Sequence, residues 1–332
     1  MSATVENKTE IKHYYKLVSS PHLRSGITTE KAMWIVVLSL LPCAISGIIF
    51  FGFNQLPLLL TTSLTAIISE YLIQFLRKKE ITIKDGSAFL TGLLLGLILP
   101  PNFPLVYAAL GSVAAIGIGK QVFGGLGFNI FNPALVGRAF LQAAFPVAIT
   151  TWTKPNYAVD ANTGATVLSA FKFDKIIEKN PELYHSLIKP LFLGNVGGSL
   201  GETSALAILI GGLILLIFGI ANWRIPLSMI LGLLTFAGIF WLIDPSHYAS
   251  PLHHLLSGGF LFGAFFMATD WVTSPLTSVG MWIYGIGIAL LVVLIRIFGG
   301  LPEGVMYAIL IMNAFTPLIN RYTIPKIFGA TK

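Results

Sequence analysis

Long apolar stretches separated by short polar ones run through most of this 332-residue chain. About twenty apolar residues suffice to cross a bilayer as a helix. Runs of roughly that length fall at residues 32–51, 56–76, 105–122, 205–221, 225–243, 281–298 and 305–318. Three more are shorter or broken: 87–99, stopped by Pro100-Pro101; 128–145, interrupted by Asn129, Asn132-Pro133 and Arg138; and 255–269, stopped by Asp270. The pattern predicts an all-α polytopic membrane protein with about ten transmembrane helices, five on each side of one long polar interruption from Val147 to Glu202. Inside that interruption Val159 to Ser169 is small and hydroxyl-rich, with Trp152, Tyr157, Phe171 and Phe173 nearby. Loops beyond about 12–15 residues are usually functional or disordered, and this one is read as functional.

The two halves echo each other. Gly86-Ser87-Ala88-Phe89-Leu90-Thr91-Gly92 resembles Gly258-Gly259-Phe260-Leu261-Phe262-Gly263, and Phe123-Gly124-Gly125 recurs as Phe298-Gly299-Gly300. Asn132 to Arg138 is echoed by Phe315 to Arg321. The offsets, 172 (258 − 86), 175 (298 − 123) and 183 (321 − 138), drift as a duplicated unit with small insertions would. Five passes per copy is an odd number, so the copies face opposite ways, as two inverted five-helix repeats with broken helices.

Composition agrees with this class. With 55% hydrophobic and 11% charged residues and a mean hydropathy of +0.80, the chain has too little polar surface to coat a soluble globule. The net charge of +7 does not point to nucleic acid, because the basic residues sit in short runs beside apolar spans, where they set orientation. With Arg77, Lys78, Lys79 and Lys84 placed in the cytoplasm, Lys120, Arg224, Arg321 and both termini fall on the same side, and the short outer loops hold only Arg296. The expected organisation is a cytoplasmic segment at 1–30, a first repeat at 31–146, an extracytoplasmic loop at 147–202, a second repeat at 203–320 and a cytoplasmic tail at 321–332. The single cysteine, Cys43, excludes an intrachain disulfide and a four-cysteine iron–sulfur cluster built from this chain alone.

Polar residues inside apolar spans need interior partners and are therefore site candidates. The densest group is Gly124 to Pro133, whose glycines permit close backbone approach and whose Asn129 and Asn132, three apart, would share a helix face; it is either a ligand site or a helix start capped by asparagine. Asp270 orients a ligand or an ion, or caps the next segment. Glu70 and Asp85 mark an ion pathway, or else pair with a neighbouring helix and cap a helix start, respectively. His247, His253 and His254 lie with Asp244 on an outer loop without metal-ligand spacing.

Read together, Ser19-Ser20-Pro21-His22, Thr91-Gly92-Leu93-Leu94-Leu95, Pro100-Pro101, Lys120 with Phe123-Gly124-Gly125-Leu126-Gly127, Phe131-Asn132-Pro133-Ala134, Leu256-Ser257-Gly258, Thr269-Asp270 and Arg296 to Gly300 resemble the RnfD/NqrB family of membrane subunits. These subunits belong to ion-translocating electron-transfer complexes, and the compact length looks more like RnfD. The resemblance implies a urea-channel-like fold and a bacterial cytoplasmic (inner) membrane location. It implies a ferredoxin:NAD-type oxidoreductase complex with flavin-bearing and iron–sulfur subunits as partners, coupled to Na⁺ or H⁺ movement. In that family a loop motif carries FMN esterified through its phosphate to threonine; here the motif reads Thr163-Gly164-Ala165-Thr166, making Thr166 the acceptor for an extracytoplasmic flavin transferase. Threonine replaces the usual serine at 163, and Trp271 stands where the family often has proline. A non-covalent riboflavin near Asn129 and Asn132 is also implied. The chain's slim, small-residue loop suits entry into a modifying enzyme. The competing reading is a solute channel or carrier on an inverted repeat, without redox chemistry.

Overall fold

In the computed structural model, residues 27–153, 155, 166–173, 177 and 181–325 are described, and the elements among them are helical. The first half holds α1 (Thr29–Phe51), α2 (Leu56–Leu76), α3 (Ser87–Ile98), α4 (Leu105–Ile116, widening into a π turn at Gly117–Gln121) and α5 (Pro133–Ala144). Among the described residues that follow are the short helices α6 (Pro146–Thr150), α7 (Val167–Lys172), α8 (Pro181–Ser186) and α9 (Ile188–Leu193). The second half holds α10 (Ala205–Ile217), α11 (Arg224–Ile243), α12 (Pro251–Leu256), α13 (Phe260–Phe262, running into a π turn at Gly263–Met267), α14 (Ser278–Phe298) and α15 (Val305–Thr323). Among the described residues four helices are long and apolar enough to cross a membrane: Thr29–Phe51, Phe53–Leu76, Arg224–Ile243 and Ser278–Phe298. Their outer faces carry exposed apolar stripes at helical spacing, such as Leu38, Leu41, Ile45 and Ile49 on α1. An exposed stripe of this kind suits lipid rather than water, and the chain is a multi-pass membrane protein.

The broken runs become half-length helices inside the bundle. α3 stops because Pro100 and Pro101 cannot continue it. Its freed carbonyls do not go unmet: Leu200 N–H donates to Leu99 O at 3.1 Å and Gly201 N–H to Leu97 O at 2.7 Å. The run expected at 128–145 is helical only from Pro133, and the run at 255–269 divides among α12, α13 and the π turn. α2 packs on α3 and α4, and α4 on α5; in the other half α11 packs on α14, and α14 on α15. Across the halves α1 meets α10 and α5 meets α15. The starts of α3 and α13, of α4 and α14, and of α5 and α15 are 173 (260 − 87), 173 (278 − 105) and 172 (305 − 133) residues apart. That register agrees with the first two sequence echoes. The third, Arg138 with Arg321 at 183, does not follow it and pairs residues about three turns out of step.

Two faces follow from this packing. One carries the Arg77–Lys84 connection, the 122–132 loop and the turn after α10; we call it the basic face. The other carries α6 to α9, α12 and the α14–α15 connection, and is called the loop face. Its short helices have a small core of their own in Leu168, Phe171, Ile177, Tyr184 and Ala249. His253 stacks on Tyr184 with ring centroids 4.1 Å apart and lies 3.1 Å from its backbone oxygen, tying α12 to α8. Next to it His254 is 7% exposed, and burial, with help from Arg296 and His253, pushes its pKa down to about 3.

Two measurements follow from these contacts. A Cβ on Gly92 would lie 2.5 Å from both Ser63 Cα and Thr62 O, so Gly92→Ala should lower the melting temperature by the equivalent of about 1–3 kcal/mol. Helix propensity alone favours alanine there by ~1 kcal/mol, so a rise would refute the tight α2–α3 contact. For His254, protonation favours the unfolded chain, whose histidine titrates near 6.5. The stabilisation is complete above that pH and is lost as pH falls toward 3, amounting to about 2 kcal/mol between pH 7 and pH 5. Thermal melts should show that acid-side loss, and His254→Gln should flatten it; an unchanged slope would contradict the burial of a neutral ring.

Candidate functional site

At the basic face the connection before α3 turns through Gly86, held at φ +76°. Asp85 Oδ1 accepts the Ser87 N–H at 2.8 Å and the Ser87 hydroxyl at 2.6 Å, which fixes the first turn of α3. Ser87 Oγ in turn accepts from Lys120 Nζ at 2.6 Å. The π turn at Gly117–Gln121 sends both Lys120 and Gln121 inward; such widened turns recur at functional sites. Lys120 lies 2.8 Å from Glu70, each side chain 1% exposed. Glu70 Oε1 also accepts from Gln121 Nε2 at 2.9 Å and Gln74 Nε2 at 3.1 Å. Glu70 thus pairs with a neighbouring helix, and Asp85 meets the first N–H of α3 from the position before the N-cap, which is Gly86. Removing either partner of such a buried pair typically costs about 3–5 kcal/mol.

This network borders a cavity of about 390 Å³ lined by Lys120, Ser87, Asn129, Asn132, Asp270 and Trp271, among apolar side chains. Asn129 and Asn132 do not share a helix face as expected, because both precede α5. They still converge, since the loop itself folds back over the cavity. Asn132 is the N-cap: its Oδ1 accepts from Ala134 N at 3.0 Å and Leu135 N at 3.4 Å, while Nδ2 donates to Met267 O at 3.3 Å in the other half. Asn129 Nδ2 donates to Phe131 O at 3.2 Å, and its buried Oδ1 has no partner among the described residues. Asp270 accepts from Val272 N at 3.4 Å and Thr273 Oγ1 at 3.1 Å, so it caps the following turn and lines the cavity at once. The glycines serve differently from expectation. Gly124, Gly125 and Gly127 hold φ of +130°, +113° and +91°, and a Cβ on Gly125 or Gly127 would meet open space; the left-handed backbone, not close approach, is what requires glycine.

Thr166 lies at the loop face. It is the N-cap of α7, half-buried, with Oγ1 accepting from Ser169 N at 3.2 Å and 2.8 Å from Ser169 Oγ. A cleft of about 40 Å³ beside it is lined by Trp152, Gly197, Gly198, Glu202 and Thr203, and Thr203 Oγ1 is buried without a partner among the described residues. Beneath the cleft Glu202 pairs with Arg138 of α5 at 3.0 Å. Glu303 accepts from Gly259 N at 2.6 Å and lies 3.7 Å from Arg296. Thr163, Gly164 and Ala165 lie outside the described residues. The structure therefore gathers Asn129, Asn132, Asp270 and, through Ser87 and Lys120, Glu70 and Asp85 at one face, with Thr166 at the other.

Both implied groups can be tested against these residues. A cavity of 390 Å³ falls in the range of ligand sites, about 300–1,000 Å³, and its unpaired Asn129 oxygen and Lys120 ammonium suit a ring edge offering both N–H and carbonyl groups. The Thr166 hydroxyl suits phosphoester attachment, since an ester oxygen can still accept the Ser169 N–H. The cleft at Thr166 is too small to enclose a tricyclic ring among the described residues, so a group tethered there would project from this face. Sequence reasoning missed the roles of Glu202 and Glu303, and counted Lys120 and Arg296 as loop charges when both are buried, at 1% and 4% exposure.

Comparison with known proteins bears on this geometry. The chain is 46% identical over 332 residues to a subunit of the proton-translocating ferredoxin:NAD(+) oxidoreductase complex of Clostridium ljungdahlii, covering 97% of this chain and 98% of the relative. It is 44% identical over 317 residues to a subunit of the Na(+)-translocating ferredoxin:NAD(+) oxidoreductase complex of Acetobacterium woodii, covering 95% of each. It is 40% identical to a subunit of the ion-translocating oxidoreductase complex of Stutzerimonas stutzeri, covering 92% of this chain and 93% of the relative. Residues 16–329 match the NQR2, RnfD, RnfE family, and on a match of that length the chain belongs to it.

Proposed function

We propose that this chain is a membrane flavoprotein subunit of an ion-translocating oxidoreductase complex of the ferredoxin:NAD type. It relays electrons through FMN esterified to Thr166 and helps couple their passage to movement of Na⁺ or H⁺. The observation that carries the reading is the position of Thr166. It is a half-buried hydroxyl that begins a short helix at the loop face, within a chain whose near-full-length relatives are named as subunits of such complexes. Bound flavin supplies the electron exchange. The chain supplies position: Thr166 tethers, Ser169 N–H holds the tether oxygen, and the Arg138–Glu202 pair forms the floor of the cleft.

The same reading takes the chain as ten passes in two inverted five-helix repeats, with both termini cytoplasmic and the loop face outside the bacterial inner membrane. The matching helix pairings and the constant 172–173 spacing of helix starts support it. So does the crowding of lysine and arginine at the basic face, a cytoplasmic signature. Since a ring on Thr166 would project outward, its electron partners are neighbouring flavin-bearing and iron–sulfur subunits, and the transferase that attaches it works from outside. A second flavin, riboflavin held without a covalent bond, occupies the cavity at the basic face, where Asn129, Asn132, Asp270 and Lys120 converge. The competing reading, a solute carrier on the same inverted repeat, differs in its cofactor: such a chain would carry no covalent flavin in cells that contain the transferase.

Two experiments test the cofactors separately. In cells that contain the flavin transferase, the denatured chain should fluoresce under ultraviolet light on a gel, and Thr166→Ala should abolish the signal while the chain remains in the membrane; a fluorescent Thr166→Ala band would refute the attachment. In purified complex, Asn129→Leu should reduce acid-extractable, non-covalent flavin on the order of tenfold, the loss expected from one or two hydrogen bonds in a buried site, and leave the fluorescent band unchanged. Full retention of extractable flavin would remove riboflavin from this cavity.

A further inference from the structure

A helix leaves its last carbonyls without partners, and where they are shielded from water such groups must be met. α14 ends at Phe298 in a glycine pair, and two carbonyls of its last turn, with two from the connection just beyond, surround a single side chain from elsewhere. Lys172 Nζ lies 2.9 Å from Arg296 O, 3.0 Å from Leu301 O and 3.3 Å from Ile295 O, and beside Gly299 O, and its three N–H groups are shared among these four acceptors. A cation in that position also opposes the negative end of the helix dipole. Lys172 is the last residue of α7, the six-residue helix that begins after Thr166.

The first half shows the same arrangement with a different donor. α4 with its π turn ends before the matching Phe123-Gly124-Gly125, and the carbonyls at and just beyond its end are met by Arg77, which donates to Gln121 O, and by Lys79, which donates to Gly124 O at 3.3 Å. Both cations come from the α2–α3 connection. The corresponding connection in the second half, 244–250, reads Asp-Pro-Ser-His-Tyr-Ala-Ser and has no lysine or arginine. The α14 end therefore takes its cation from the long loop instead. α7 is thus held at two points: Leu168 and Phe171 pack in the small loop-face core, and Lys172 locks its end to α14. Apolar packing alone lets a single-turn helix slide or rotate; several bonds to one ammonium do not.

We propose that Lys172 is a positioning residue for Thr166: by gripping the carbonyl end of α14 it fixes the height and rotation of α7, and hence the place of a group esterified to the Thr166 hydroxyl. The proposal rests on the reading of Thr166 as the attachment point. It assigns Lys172 no contact with the flavin and no part in electron exchange.

The test uses the intact complex with Lys172→Met, which keeps the aliphatic stem and removes the ammonium, and Lys172→Arg, which restores a multi-donor cation. The readouts are the rate at which the chain acquires covalent flavin and the fluorescence anisotropy of that flavin. Lys172→Met should be labelled on the order of tenfold more slowly, as expected for a displaced acceptor. Its flavin should show lower anisotropy, and Lys172→Arg should return both readouts toward wild type. If Lys172 merely caps α14, Lys172→Met will melt earlier with labelling and anisotropy unchanged, and the proposal is wrong. If the methionine variant fails to accumulate, Lys172→Gln, which keeps one donor without charge, is read in the same way. A wild-type chain without fluorescent flavin would overturn the Thr166 reading and this proposal together; a labelled wild type with unaffected variants would overturn this proposal alone.

Discussion

An unmet polar group inside an apolar bundle is expensive, and that cost organises this structure. Where the chain interrupts a helix within the bundle, the exposed backbone or charge finds a specific partner. The end of α3 is met by Leu200 and Gly201, the start of α5 by Asn132, and the end of α4 by Arg77 and Lys79. Glu70, buried by the same packing, is met by Lys120 and two glutamines. Helix breaks allow polar side chains to enter the interior, and the need to satisfy them fixes where those side chains can be.

The candidate sites lie at those breaks for the same reason. The basic-face cavity forms where α3 and α5 begin and the second half's π turn ends, so asparagine, aspartate and lysine converge there from three directions. Thr166 lies where the long loop returns to the bundle. The two lie at opposite faces, with separate linings that share no residue. Asn132 spans the join between the halves, so the cavity wall and the packing of the two halves are one structure.

Much of this could be read in the sequence, and the parts that could not have physical causes. Apolar run length located the long helices, and the proline pair located the end of α3. The Asn129–Asn132 group and Asp270 stood out because polar residues are rare in such runs. Their helical face was misjudged because Pro133 is the first helical residue, and nothing upstream of it marks a loop except its glycines. Lys120 was taken for a loop charge because it lies at the edge of an apolar run; only the π turn, invisible in residue spacing, sends it inward. Glu202 and Glu303 left no signal, since each sits in a polar connection where carboxylates are ordinary and their pairing depends on partners more than sixty and forty residues away along the chain.

The hold that Leu200 and Gly201 have on α3, and Lys172 on α14, makes the long loop something other than a detachable cassette. Excising it, or grafting in a foreign segment of equal length, would unseal the ends of two helices before any cofactor was considered. Natural variation in this segment should therefore be concentrated between its anchor points, with the anchors themselves inherited as part of the transmembrane architecture.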